Sequence, residues 1–239
     1  MALPYFFVPD IASKQIVLDE QTSKHVIQVL RMKKEEELLV TDGRGARATA
    51  VIIDDNRKRC LIQVLQTEVE KQLAPHLTIA ISLVKNAARF EWFLEKATEI
   101  GVNAIIPLLC ERTEKEKFRH DRLNNILISA MLQSQQCWMP ELHHPVAFDK
   151  LINETPAAEK LIAHCLPEEK QQLVEYIDKQ TSDPASIILI GPEGDFTESE
   201  ISLSLQHQFI PVALGNTRLR TETAGMVAAT LLRNRKAIR

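Results

Sequence analysis

Two stretches of this chain combine residue types that can hold a small ligand. The first is Ile190-Gly191-Pro192-Glu193-Gly194-Asp195-Phe196. Glycines flanking a proline make a rigid bend whose bare backbone lets amides and carbonyls approach a ligand closely. The bend follows the apolar run Ile187 to Ile190 and precedes Thr197-Glu198-Ser199-Glu200, a capping-box spacing that starts a helix. Open α/β sheets bind their ligands at such strand ends. Taken alone, Gly-Pro-Glu-Gly is explained equally well by an ordinary tight strand-to-helix turn. No Gly-Lys-Ser/Thr follows it and the chain has no G-x-G-x-x-G, so neither a P-loop nor a dinucleotide fingerprint is present.

The second stretch runs from Ala213-Leu214-Gly215 through Arg218-Leu219-Arg220-Thr221-Glu222 to Ala224. It also leaves an apolar run, Ile210 to Leu214, and enters a helix, for which Thr221 is the expected N-cap. That helix carries Ala224, Gly225, Ala228 and Ala229, small enough for very close packing. Packing does not explain Arg218 and Arg220 at its start, where two cations work against the helix dipole.

Both loops need strands behind them. Leu77 to Val84 and Ala104 to Leu109 are apolar and of strand length. Between them Phe90, Phe93, Leu94, Ala97 and Ile100 recur at helical spacing, and Gly101 supplies a stop. A helix is expected from about Arg122 to Gln136. Short apolar runs such as Ile187 to Ile190 are typical of central parallel strands, and the alternation is that of an α/β domain. The first seventy residues differ. Gln15 to Leu18, Glu37 to Thr41, Ala46 to Ile53 and Cys60 to Thr67 read as short strands, with Asp42-Gly43-Arg44-Gly45 as the clearest turn. One helix, from about Thr22 to Met32, would place Val26, Val29 and Leu30 on a shared face. Several short strands in so small a segment predict a compact barrel. The polar join Glu70-Lys71-Gln72, with Pro75 after it, divides the chain into residues 1–72 and 73–239.

Composition narrows the function. Hydrophobic residues make up 45% of the 239, enough for a core, while only 5% are aromatic, so any base-stacking surface is small. No run approaches the roughly 20 apolar residues of a membrane span, and Met1 to Asp10 has no secretory pattern. Cys60, Cys110, Cys137 and Cys165 are scattered, as suits free thiols in a reducing cytoplasm. His143-His144 near Cys137, and His164-Cys165, fit no usual zinc spacing; surface histidines and no metal are expected. The net charge is −3 but unevenly spread: residues 141–200 hold thirteen acidic residues against four lysines, whereas residues 218–239 hold six basic residues against Glu222. Such runs are commonly solvated faces, yet the second is also compatible with a local patch that attracts phosphates.

Taken together, Gly191-Pro192-Glu193-Gly194 and Leu214-Gly215 with Leu219-Arg220-Thr221-Glu222-Thr223-Ala224 resemble the signature of the RsmE family of 16S ribosomal RNA methyltransferases, within the SPOUT superfamily. His25-Val26-Ile27-Gln28-Val29-Leu30-Arg31-Met32 is similar to that family's N-terminal segment. Lys96 to Val102, Pro107, Glu111-Arg112-Thr113, Gln133-Ser134 and Pro140 resemble its central motifs. The likeness covers essentially the whole chain. Three positions depart from the pattern: Pro4 and Gln136 where arginines are usual, and Asp195 where a second glycine is common. The first two bear on RNA contacts; aspartate tolerates turn geometry at the third.

The resemblance implies a PUA-like, RNA-binding barrel followed by a trefoil-knotted methyltransferase domain, acting as a homodimer in the cytoplasm. It implies S-adenosylmethionine as cofactor and N3 of a uridine in 16S ribosomal RNA, within the small subunit, as target. The cofactor is then expected among Ile190, Gly191, Pro192, Glu193 and Gly194, then along Leu214 to Arg220, with Leu214, Gly215, Leu219, Arg220 and Thr221 as contacts. A third loop, after Lys160 to Ala163, is expected to contribute around His164 to Leu166, with Leu166 as a contact. Arg220 is the expected cation for the target base or its phosphate. Glu222 is either a base or the partner that fixes Arg220, and Glu193 is expected to brace a loop. Arg31, Lys33, Lys34, Arg57, Lys58 and Arg59 are the candidate phosphate contacts of the barrel, extended by Arg112 and Arg119. Two other readings stay open: a SPOUT enzyme for a different RNA site, and a non-catalytic RNA-binding assembly protein.

Overall fold

The computed structural model describes residues 3–114, 118–167 and 170–235, which separate into two compact units. The last four residues of the basic C-terminal run therefore lie outside the described residues. One unit comprises Met1–Gln72 with Met131–Met139, and the other Leu73–Ala130 with Pro140–Arg239. The later segment 131–139 thus belongs with the N-terminal residues, which a single cut after Gln72 does not convey.

The first unit holds β1 (Tyr5–Phe7), β2 (Gln15–Val17), α1 (Glu20–Lys24), β3 (Glu37–Thr41), β4 (Ala46–Asp54) and β5 (Leu61–Val69). They form one sheet in the order β1-β3-β4-β5-β2, with only the β1–β3 pair parallel. The expected barrel is thus a sheet with two ends, since β1 and β2 do not pair among the described residues. Alternate residues Leu38, Val40, Ala48, Ala50, Ile52 and Ile62 fill its core. The Asp42–Gly45 turn is locked by the returning segment: Gly45 N donates to Cys137 O (2.8 Å) and Met139 N to Gly43 O (2.9 Å). Gly45 has φ +98°, and a Cβ there would lie 2.5 Å from the Trp138 ring, so only glycine fits.

The expected helical face over 22–32 is corrected. After α1 the chain makes a π-helical turn, His25–Val29, closed by Leu30 N to His25 O. The wider turn rotates Val29 and Leu30 away from buried Val26, leaving them 68% and 43% exposed. Of the residues that depart from the family pattern, Pro4 O accepts from Leu39 N, and Gln136 O accepts from the hydroxyl of Tyr5, the residue after Pro4.

The second unit contains β6 (Leu77–Ser82), α2 (Ala87–Ile100), β7 (Ala104–Leu109), α3 (His120–Gln133) up to Ala130, β8 (Glu141–Leu142), β9 (Val146–Ala147) and α4 (Phe148–Glu154). It continues with β10 (Glu159–Ala163), β11 (Gln171–Gln172), α5 (Leu173–Lys179), β12 (Ser186–Ile190), α6 (Glu198–Gln206), β13 (Ile210–Ala213) and α7 (Thr221–Arg233). The sheet order is β11-β13-β10-β12-β6-β7-β8, with β9 also on β7, and every pair is parallel. Both faces are covered. Ala80, Ile187 and Leu189 point into a cluster with Phe148, Phe196 and Ile201 of α4, the bend and α6, while their neighbours face the side that α7 covers. Parallel strands all end on one edge, so the segments after β6, β7, β10, β12 and β13 gather there.

Small residues let α7 sit close. A Cβ on Gly225 would come 2.7 Å from Phe93 and 2.8 Å from Ile81 Cδ1. Two of the expected phosphate-attracting cations are structural: buried Arg235 pairs with Glu159 at 2.9 Å, and Arg233 donates to Pro75 O (3.0 Å) and to Asn103. Alanine at position 225 gains about 1 kcal/mol of helix propensity but overpacks the core at a cost of about 1–3 kcal/mol. Because both clashes are with core side chains, Gly225→Ala is expected to lower the thermal and urea midpoints. A stabilised variant would mean that α7 is not so tightly seated.

Candidate functional site

The sheet edge holds two adjoining cavities. One, of about 410 Å³, has Val212, Leu214, Gly215, Asn216 and Thr217 along one wall and His164 and Lys170 opposite. The other, of about 280 Å³, is walled by Ile190, Gly191, Pro192, Glu193 and Asp195, with Arg220 and Thr221 facing them. Ala163, Cys165, Arg218, Leu219 and Ala224 line both. The loops after β10, β12 and β13 therefore bound one continuous cradle, although 24 residues separate Gly191 from Gly215 in the sequence.

Hydrogen bonds fix these loops to one another. The Thr221 hydroxyl donates to Gly191 O at 3.0 Å. This corrects the expected cap: Arg220 occupies the N-cap position of α7 with no side-chain cap bond, because the Thr221 hydroxyl is spent on the neighbouring loop. Asp195, at φ +63°, accepts from Cys165 N through Oδ2 at 2.8 Å. Arg112 Nη1 donates to Gly194 O at 2.7 Å, and Lys85 N donates to Glu193 Oε1 at 3.3 Å. Behind the bend, Thr197 and Glu200 complete the capping box of α6. Gly215 has φ +136° with open space where a Cβ would stand, so bare main chain faces the larger cavity.

Three expected residues stand apart from the cavity walls. Leu166 packs against the core cluster, and its carbonyl, like that of His164, accepts from Lys170 Nζ. Gly194 turns its carbonyl to Arg112. Glu222 is buried in the first turn of α7, and its nearest cation is Arg89 (Nε to Oε1, 3.7 Å), not Arg220. Its Oε2 is buried without a hydrogen-bond partner among the described residues. The reason lies at the helix start: Arg220 is the extended N-cap residue, exposed at the cavity mouth, whereas Glu222 sits inside the first helical turn and is buried beside Arg89 of α2. His164, expected at the surface, is buried at the end of β10.

The cations divide by unit. In the N-terminal unit Arg31, Lys33, Lys34, Arg57, Lys58 and Arg59 are all exposed. Register sets the start of β3 beside the end of β4, with Glu37 opposite Val51, so both groups lie at one end of that sheet. In the second unit Arg119 helps line a further cavity of about 350 Å³ with Phe118, Arg122 and the start of α2. Arg112 is engaged with the bend, as above. Sequence reasoning missed Ala163, Lys170 and Arg89, whereas Cys165, Asn216 and Thr217 fall inside the expected loops. Of the missed residues, only the strand-end position of Ala163 gave a signal. Among the described residues no cluster suits a metal ion. A main-chain and apolar cradle with arginines at its mouth suits a small ligand with polar and apolar parts, beside an anionic partner.

Burial pushes the Cys60 and Cys137 thiols up to about 11 and about 12, and raises that of Cys110 as well. Cys165 is exposed within the cradle. Alkylation of the folded chain at neutral pH, read by peptide mass spectrometry, is expected to mark Cys165 first. Equal marking of Cys110 would contradict the packing described.

Comparison with known proteins places the chain. Residues 71–233 match the model of an RNA methyltransferase domain, and residues 18–65 that of an RNA methyltransferase PUA domain. A ribosomal RNA small subunit methyltransferase E from Synechocystis sp. is 34% identical over 209 residues, covering 85% of this chain and 68% of that protein. A crystal structure from Porphyromonas gingivalis, described as a probable rRNA-methyltransferase, superposes with a TM-score of 0.91 at 38% identity, covering 98% and 99% of the two chains. A ribosomal RNA small subunit methyltransferase E from Neisseria gonorrhoeae bound to S-adenosyl methionine gives 0.85 at 27% identity, with 98% of each chain covered.

Proposed function

This chain belongs to the RNA methyltransferase family, and from that premise we propose that it moves a methyl group from S-adenosylmethionine to N3 of a uridine in 16S ribosomal RNA of the small subunit. The observation that carries the reading is the meeting of the loops after β10, β12 and β13 around one cradle. The residues fit the cofactor. Gly215 leaves open space at the larger cavity, Pro192, Leu219 and Ala224 give apolar contact, and the loop backbones offer polar groups beside the charged side chains of Lys170, Glu193, Asp195, Arg218 and Arg220. When bound, the cofactor supplies an activated methyl on a sulfonium.

The chain's own contribution is positioning and electrostatics. A uridine imide nitrogen is a poor nucleophile until its proton leaves, and a cation beside it favours the anion. Arg220, exposed at the mouth of the smaller cavity, supplies that charge. Glu222, held away with Arg89, acts by fixing the first turn of α7, where an acidic residue also suits the helix dipole. The exposed cations of the N-terminal unit supply phosphate contacts, and recognition of ribosomal RNA rests on shape as well as charge. We also assign a trefoil path and a cytoplasmic homodimer. Supporting the first, β13 lies outside β10, yet the helix it feeds packs on β12, β6 and α2 beyond that strand.

The test is methyl transfer to small subunits lacking the modification, followed by nucleotide mapping. A single new N3-methyluridine in 16S RNA is expected. Label in transfer RNA or at another ribosomal site would replace the substrate, and no cofactor binding by calorimetry would favour a non-catalytic protein. Arg220→Ala should cut single-turnover methyl transfer about 100-fold, the scale of one electrostatic donor, while cofactor affinity changes by less than about threefold. If both fall together, Arg220 belongs to the cofactor pocket. Glu222→Gln should leave transfer within about tenfold of the parent; a loss beyond about 100-fold would restore Glu222 as the base.

A further inference from the structure

Resting on the cofactor reading above, we propose that Asp195 is a positioning residue that latches the loop after β10 onto the bend after β12 and so sets cofactor affinity. Asp195 sits at φ +63°, a conformation in which glycine is the least strained residue. Both carboxylate oxygens of the side chain that stands there are engaged. Oδ1 accepts from its own neighbour, Phe196 N, at 2.9 Å, and Oδ2 accepts from Cys165 N at 2.8 Å. Its backbone N–H closes the turn onto Pro192 O at 2.9 Å.

The Cys165 contact spans 30 residues of sequence and joins two walls of the same cavity, since Ala163, Cys165 and Asp195 all line it. Cys165 also lines the larger cavity, so the latch bears on both halves of the cradle. The loop it holds is secured from the other direction by Lys170, whose Nζ donates to the carbonyls of His164 and Leu166. Lys170 thus ties the loop to its own continuation, and Asp195 ties it to the bend. A carboxylate accepting from a backbone amide is a charge-assisted bond of the stronger class. Without it, the wall at Cys165 must be ordered when the cofactor arrives, at the expense of affinity.

The substitution that separates this role from turn geometry is Asp195→Gly. Glycine relieves the left-handed backbone, so a residue serving the turn alone would be improved by it. The latch predicts the opposite for the ligand. Calorimetry should show S-adenosylmethionine bound roughly tenfold more weakly, the equivalent of one charge-assisted bond. The rate of transfer at saturating cofactor should stay within about threefold, and the melting temperature should be unchanged or raised. Asp195→Asn keeps one carbonyl oxygen and should recover part of the affinity. Affinity in Asp195→Gly equal to that of the parent would overturn the proposal, as would loss of saturated rate with unchanged binding.

A second readout needs no cofactor. Amide exchange at Cys165, followed by NMR on the unliganded chain, should quicken about tenfold in Asp195→Gly while the Ile201 amide inside α6 does not change. Identical exchange at Cys165 in both chains would sink the latch. If the parent chain fails to bind S-adenosylmethionine yet its Cys165 amide shows the expected difference, the cofactor reading fails and the latch between the loops stands.

Discussion

The bend from Gly191 to Asp195 is gripped from every side, and the rest of the cradle depends on that grip. The Thr221 hydroxyl takes the Gly191 carbonyl, Asp195 takes the Cys165 amide, Arg112 takes the Gly194 carbonyl, and Glu193 takes the Lys85 amide. These bonds come from the loops after β13, β10, β7 and β6. Loops are ordinarily the mobile parts of a domain, and each alone would present its backbone groups in many arrangements. Cross-linked at one bend, they hold a fixed set of main-chain groups at the ends of parallel strands.

This arrangement explains the division of labour among charged residues. Arginines of the second unit are of two kinds. Arg112, Arg233 and Arg235 spend their donors on the fold, through Gly194, Asn103 with Pro75, and Glu159. Arg218 and Arg220 stay exposed, although Arg218 reaches the Glu193 carbonyl at 3.5 Å. A cation exposed at the mouth of a small cavity acts on whatever anion arrives there. That is the requirement of a reaction in which a neutral imide must give up its proton while a charged donor stands close by. Close packing of Gly225 on Phe93 and Ile81 supports the same geometry from beneath, because it fixes where α7 begins and hence where Arg220 points.

Much of this was legible in the residues. The strand ends at Leu109 and Thr41, the Gly101 stop and the capping box at Thr197 follow from local spacing and end where the spacing says they should. What escaped was non-local. Thr221 carries the residue type of a cap, but its hydroxyl finds a better acceptor in a loop 30 residues away. Glu222 reads as the partner of Arg220 from adjacency, whereas its place inside the first helical turn sets it beside Arg89, 133 residues earlier. Val29 and Leu30 read as core from an α-helical period that a π turn interrupts. The segment 131–139 joins the first unit through hydrogen bonds to Gly43 and Gly45 that no composition shift announces.

The central claim is that separate loops close around one small ligand. Hydrogen–deuterium exchange of the full chain with and without S-adenosylmethionine, resolved to short peptides, addresses it directly. Peptides covering 163–166, 190–195 and 214–220 should gain protection together, at the same cofactor concentration, while the β3–β5 sheet of the N-terminal unit is unchanged. Protection confined to one of these loops, or spread at different concentrations, would contradict a shared cradle.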